Sequence, residues 1–560
     1  MKRHSDTRVL LVVLLLLGAC AREAGSPAGS AEPETSPPRF GGTLVRRLES
    51  DIVTLNPVLV GSRYDTYVHR YLFTALVDLS AELQPVPALA GRWDISADRR
   101  DYTFYLDPKA TFSDGTPVRA NDVLFTLQKI VEPQSEAYGM APYFDQLDMA
   151  RTRVVGPHTI LVAFREALAS QLLSFTNLLV VPEHVYSKGN FNTDYNAKPV
   201  GSGPYVLTRY VTGTEVVLAR RDNYWTQKPY IETVHFKVIQ SGATAWNAAK
   251  VGQLDETNVQ SDVWLRERGN SGLQEKLNFV EYYGLAYNYI AWNGRQPIFS
   301  DKRMRRALAM CINVRDIISG LYGGTARVMT GHFLPGQDGF NPTVPAVEYD
   351  PEGARQLLTS LGWLDTNGDG VLDRGGKPLS FDLMITTGSA TAQAIAQMMQ
   401  ADLKKAGVRM EIAVVDFAAL MQRIMAGNYQ AAYLSWDLDP DPDPFALFHS
   451  SQTPPRGFNF TFYANPEADR LIEQGRYEFD AGKRADLYRR LHAILAEDQP
   501  YAWTVQPTVK WVMNRRVRNA RVGRGYGLFL WTPGELDWWL AGARPSLVQS
   551  QTTATTRNGE

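Results

Sequence analysis

Cysteine is nearly absent: two residues in a chain of 560. That rules out a disulfide framework, so the folded body is expected to hold together by packing alone. Long hydrophobic runs are missing too. The uninterrupted apolar stretch Val9–Leu17 is far short of the about 20 residues a bilayer-spanning helix needs. No excess of one charge exists, since 58 Lys and Arg face 59 Asp and Glu. A general attraction to nucleic acid is therefore excluded, and any electrostatic recognition has to be local. The chain has no Gly-x-Ser-x-Gly elbow, no His-Glu-x-x-His pair and no Gly-Lys-Ser/Thr phosphate loop, which argues against the commonest hydrolase and nucleotide-dependent chemistries. Its eight histidines are scattered, with no pair at metal-ligand spacing.

What is present begins at the N-terminus. Lys2, Arg3 and Arg8 precede the Val9–Leu17 run, the pattern of a cleavable signal peptide over residues 1–19. The run ends in Leu17-Gly18-Ala19-Cys20, which resembles a bacterial lipobox whose Cys20 is acylated. Stable anchoring takes more than one acyl chain, and a lipoprotein cysteine carries them. Residues 20–40, rich in Ala, Ser, Gly, Pro and Glu, read as a flexible tether. With Cys20 acylated, Cys311 has no partner; it shares a helical face with Leu308 and Ile312 and reads as a small buried hydrophobe. Twelve Trp and 26 Tyr supply amphipathic rings suited to a ligand cleft or to a core.

From Gly41 onward, strand-like and helical stretches alternate, which indicates a mixed α/β architecture. Tyr102–Leu106 alternates with period two, and residues 122–131 put Val123, Leu127, Ile130 and Val131 on one helical face. Residues 392–406 read as a helix closed by Gly407 and followed by a strand over 408–415. Residues 466–475 and 481–497 are helical by spacing, and the polar tail 546–560 reads as disordered. A chain of this length exceeds what one core serves, so at least two lobes are expected.

Five blocks, in order, carry a family resemblance: Tyr102–Val123 (YTFYLDPKATFSDGTPVRANDV); Gly201–Leu207 (GSGPYVL) with Arg221–Trp225 (RDNYW); Tyr289–Asn293 (YIAWN) with Asp301–Leu308 (DKRMRRAL); Trp436–Phe445 (WDLDPDPDPF) with Gly457–Asn459; and Asp498–Tyr501. Together they resemble the bacterial extracellular solute-binding proteins of family 5, the dipeptide- and oligopeptide-binding components of ABC importers. Arg119 stands where that family usually has a Ser or Thr helix cap. The resemblance implies a two-lobe, hinged periplasmic-binding-protein fold (type II, large peptide-binding subclass) with an extra subdomain in lobe I. Lobe I is then expected over 41–281 plus 507–545, including a subdomain at about 79–200, and lobe II over 282–506.

It implies a function as well: capture of a peptide between the lobes and delivery to membrane permease subunits driven by a separate ATPase. The protein is then a monomer without a cofactor, held in the cell envelope through the lipid on Cys20, and it is not an enzyme. In such proteins an aspartate shortly after a Trp pairs with the ligand ammonium. Spacing from Trp436 selects Asp439, with Asp437 and Asp441 as neighbouring choices. Trp436, Trp292, Tyr283 and Tyr287 are candidate pocket rings, and Asn293 and Asn459 candidate partners for peptide backbone. An oligosaccharide, a nickel chelate or haem is the alternative cargo on the same fold, and a secreted hydrolase the alternative from another class. Asp365, Asn367, Asp369 and Asp373 match the first part of a calcium loop, but position 12 is Gly376 where a glutamate is expected. No metal is assigned there.

Overall fold

Strand Thr43–Leu48 is buried at all six positions, as expected for a strand covered on both faces. It runs parallel to Thr233–Val238 and sits inside an eight-stranded mixed sheet. The order is Leu277–Tyr283, Val505–Asn514, Glu256–Asn258, Thr43–Leu48, Thr233–Val238, Glu215–Arg220 and Tyr205–Val211, with Ala326–Val328 added to the start of Val505–Asn514. This computed structural model describes residues 37–542; the signal peptide, Cys20 and the tail beyond 545 lie outside the described residues.

A second, four-stranded antiparallel sheet is formed by Ala90–Ile95, Asp101–Leu106, Thr159–Ala163 and Arg153–Gly156. The period-two pattern of Asp101–Leu106 appears as alternating burial, with Tyr102, Phe104 and Leu106 inward. Phe104 meets Phe175 edge-on at 4.5 Å, and one continuous core joins this sheet to the large one. Helix Ala120–Val131 covers it, starting at Arg119 with no side-chain cap; Asp122 instead accepts the Arg119 backbone N–H at 2.8 Å.

The family blocks act here as staples. Gly203 lets residues 201–203 pass against the end of helix Arg63–Leu72, where a Cβ would stand 2.5 Å from the Tyr71 carbonyl. Arg221 donates to the carbonyls of Thr111, Phe112 and Gly203. Arg305 donates to those of Phe299, Asp498 and Gln499.

The five-stranded sheet runs Arg409–Val415, Ser380–Thr386, Ala431–Asp437, Ala286–Trp292, Tyr501–Trp503. Helices Lys302–Met310, Val314–Tyr322, Pro351–Ser360 and Ala390–Lys405 pack on one face. Phe417–Met425, Pro466–Tyr477 and Ala481–Asp498 pack on the other. Cys311 is sealed in the first of these cores, and burial pushes its thiol up to about 12.

The large sheet and the five-stranded sheet are joined by two short crossings, Gly284-Leu285 and Thr504. They are cross-tied: Thr504 donates to the Asn288 carbonyl (2.6 Å), and Gln506 Nε2 donates to the Gly284 carbonyl (2.7 Å). Gly525, at φ +73°, passes over the first crossing, where a Cβ would lie 2.8 Å from Leu285 Cγ. Among the described residues no helix is long and apolar enough to cross a membrane.

Candidate ligand cleft

Strand Ala431–Asp437 pairs along its whole length with Ala286–Trp292. On its other edge Ser380–Thr386 pairs only with Ala431 and Ala432. The edge from Tyr433 to Asp437 is therefore unpaired among the described residues, and it ends beside the two crossings, where Leu438 N–H donates to Leu285 O at 2.7 Å.

The strand runs through Trp436 and stops at Asp437, because the alternating prolines begin only at Pro440. Trp436 stacks on Tyr289 (6.0 Å) and Phe460 (5.5 Å) and donates from Nε1 to Tyr501 Oη at 3.3 Å. The four aspartates that follow divide into two pairs. Asp441 receives both terminal nitrogens of Arg484 at 2.7 Å, and Asp443 receives Arg476 Nε and the Phe445 N–H, each at 3.0 Å. These two fix the loop to helices Pro466–Tyr477 and Ala481–Asp498.

Asp437 and Asp439 are solvent-exposed. Asp437 makes no hydrogen bond or ion pair through its carboxylate among the described residues. Asp439 is contacted across the cleft by Tyr143 Oη, at 3.1 and 3.2 Å from its two oxygens. Burial within the cleft walls raises the Asp439 carboxyl above its ordinary value, opposed by the Tyr143 hydrogen bond and reinforced by Asp441. The group thus touches water yet is poorly solvated, as expected at the bottom of a cleft.

The facing wall carries Tyr143, and the charges of Asp437 and Asp439 also reach Tyr526, and that of Asp437 reaches Arg63 at the start of helix Arg63–Leu72. Ser62 and Asp65 start that helix with reciprocal backbone bonds of 3.2 and 2.9 Å, a capping box. Burial raises the Tyr526 hydroxyl, and the charges of Asp439 and Asp437 add to the effect. A cavity of about 1210 Å³ is lined by residues of both parts of the chain, Asp145, Glu166, Phe445, His449, Tyr477 and Lys483 among others. It is strapped by a hydrogen bond from Tyr477 Oη to Glu166 and by Ala169 N–H to Arg476 O at 2.8 Å.

Several expected ligand contacts are placed elsewhere. Trp292 is 1% exposed and packs on Phe299 and Phe381. Tyr287 is fully buried and shares a 3.0 Å hydrogen bond with His332 Nδ1. Asn293 spends its amide on the carbonyls of Gly427 (3.0 Å) and Tyr429 (2.7 Å). Asn459 spends its own on His449 (3.1 Å) and Tyr463 (2.8 Å). All four are buried inside their lobe; Tyr287, Asn293 and Asn459 have hydrogen-bond partners there, while the indole N–H of Trp292 has none among the described residues. Asp441, partly buried, is engaged by Arg484. Tyr283 stays partly exposed beside the first crossing, with the Arg327 guanidinium 4.1 Å from its ring centre.

The Asp365–Asp373 loop closes on itself. Asp365 accepts from Gly368 and Gly370, Asn367 from Asp369, Asp369 from Val371, and Asp373 from Thr366. Arg63, Tyr143 and Tyr526 were missed by sequence reasoning. The capping box beginning at Ser62 gave the only local signal, marking where a helix presents Arg63.

Two sheets bridged by paired crossings, with an open cleft between them, define the class of hinged solute-binding proteins. The family model "Bacterial extracellular solute-binding proteins, family 5 Middle" matches residues 84–458, more than half of the chain, and the protein belongs to that family. The oligopeptide-binding protein AppA of Bacillus subtilis is 28% identical over 549 residues, covering 95% of this chain and 98% of its own. Di/tripeptide-binding protein 2 of Pseudomonas aeruginosa is 27% identical, covering 82% and 88%. The solved structure of AppA from Bacillus subtilis with a nonapeptide superposes at a TM-score of 0.77 with 26% identity, covering 90% of this chain and all of that one. NikZ of Campylobacter jejuni with Ni(L-His) shares the fold, with a TM-score of 0.77 at 22% identity over 89% and 99%.

Proposed function

We propose that this protein binds peptides in the cleft and delivers them to the permease of an ABC importer, without catalysing a reaction on them. The observation that carries this reading is the unpaired strand edge Tyr433–Asp437, which ends in two exposed aspartates. An extended peptide adds to such an edge through main-chain hydrogen bonds, which give affinity independent of side chains. Its ammonium group lies at Asp439, with Asp437 beside it. Similarity to relatives named as oligopeptide- and di/tripeptide-binding proteins supports the choice of cargo.

In this reading lobe I comprises 41–281 and 507–545, with an inserted subdomain at about 79–200, and lobe II comprises 282–506. The crossings near 284 and 504 act as the hinge. The protein works as a monomer, tethered through lipid on Cys20 and facing the periplasm or cell exterior.

The test is calorimetry with a free peptide and its N-acetylated twin. A hydrogen bond to a charged group is worth about 1.5–3 kcal/mol, so Asp439→Asn should weaken the free peptide about 10- to 100-fold and the acetylated one far less. Equal losses for both would remove Asp439 from the role. Binding of haem, a nickel chelate or cellobiose with no peptide bound would contradict the cargo.

A further inference from the structure

Helix Pro466–Tyr477 ends without a cap of its own. The residues that follow it, Glu478 and Phe479, return no backbone N–H to its last turn among the described residues, although the final carbonyls of a helix need partners. The Arg476 carbonyl instead accepts the Ala169 N–H at 2.8 Å, from the segment assigned above to the inserted subdomain. Two further contacts join the same two regions. Tyr477 Oη donates to the Glu166 carboxylate, and that bond, helped by burial, pushes the phenol up to about 12, so it keeps its proton at neutral pH. The Arg99 guanidinium stands 4.9 Å from the ring centre of Phe479. Arg99 lies in the turn between strands Ala90–Ile95 and Asp101–Leu106, at φ +61°.

These contacts differ from those that hold each lobe together. Arg99, Glu166, Tyr477 and Phe479 are all exposed, so water receives their groups when the contact breaks. Exposed polar contacts contribute little each and part easily. The mostly buried Asp441–Arg484 pair, within one lobe, is the opposite case. Arg476 also reaches the cleft, because its Nε donates to Asp443 at 3.0 Å, in the loop that carries Asp437 and Asp439. One residue thus holds the loop through its side chain and the opposite wall through its carbonyl. Glu166, Arg476 and Tyr477 line the cavity of about 1210 Å³ as well, so parting them opens its wall.

We propose that Arg99, Glu166 and Ala169 form a reversible latch on the C-terminal end of helix Pro466–Tyr477, which holds the two lobes shut and sets how fast they part. This rests on the two-lobe, hinged reading above and not on the identity of the cargo. A hinge permits open and closed forms, and only contacts made in one of them shift the balance toward it. The three contacts supply that difference, and water is the alternative partner for each.

The experiment is hydrogen exchange at single-amide resolution, read by mass spectrometry on the full-length protein with no ligand added. The Ala169 N–H has no other acceptor among the described residues, so its exchange reads the fraction of time the lobes are parted. In the wild type it should exchange at least 10-fold more slowly than an exposed loop amide. Tyr477→Phe should speed it about 10-fold, as expected for losing a hydrogen bond to a charged group, and Arg99→Asn about 2- to 5-fold. Asn suits that position because it tolerates positive φ. Amides of strand Asp101–Leu106 should keep their rates in both variants. Three results would overturn the latch: an unprotected Ala169 in the wild type, rates unmoved by either variant, or strand amides that speed up in step with Ala169, which is unfolding of the subdomain and not release. Calorimetry that finds no peptide bound, with this exchange pattern intact, would remove the peptide reading alone.

Discussion

Asp437, Asp439, Asp441 and Asp443 follow one another at intervals of two and meet four different environments. Asp441 neutralises Arg484, and both side chains are mostly buried. Removing one partner of such a pair leaves a buried uncompensated charge, so Asp441→Ala should cost about 3 kcal/mol of stability. Asp437→Ala removes an exposed, unpaired group and should stay within about 0.5 kcal/mol. Urea unfolding midpoints of the two variants check this contrast, and equal midpoints would contradict the division between seat and site. Alternation in sequence did not reveal the division. It emerges only when Arg476 and Arg484 arrive on two helices from later in the chain.

At the scale of elements, the crossings depend on close approach. Gly525 lies at φ +73° against Leu285. An alanine there meets both the left-handed strain and the Leu285 side chain, and should cost about 1–3 kcal/mol. Thermal unfolding of Gly525→Ala measures it, and an unchanged midpoint would show that the crossing has slack. Elements with strong periodicity were legible beforehand. The strand at 101–106 and the helices observed as Ala390–Lys405, Pro466–Tyr477 and Ala481–Asp498 needed only spacing and caps. The cleft was less legible. Asn293 and Asn459 were chosen for lying beside family motifs in sequence, but those motifs mark where the chain is pinned and not where a ligand touches. Arg63, Tyr143 and Tyr526 come from three distant segments, and only tertiary packing brings them to face Asp437 and Asp439.

At the scale of the whole molecule, packing without disulfides leaves stability exposed to buried titrating groups. His332 is held down to about 3 by burial and the neighbouring charge of His492, and His492 to about 4 by burial. Both folded values lie below the ordinary value of about 6.5, so the unfolded chain binds more protons in between. Stability is then full above about pH 6.5 and is lost as pH falls, by up to ~1.4 kcal/mol per pH unit for each histidine. Urea midpoints should drop between pH 7 and pH 5, and less steeply in the His332→Gln/His492→Gln protein; a flat wild-type profile would contradict this. The central claim, that two lobes close on a peptide, is tested most directly by native mass spectrometry of the protein isolated from its own cells. The account predicts adducts whose masses and fragments are those of peptides, and their depletion in Asp439→Asn. Adducts of a sugar, a haem or a metal chelate in place of peptides would contradict it.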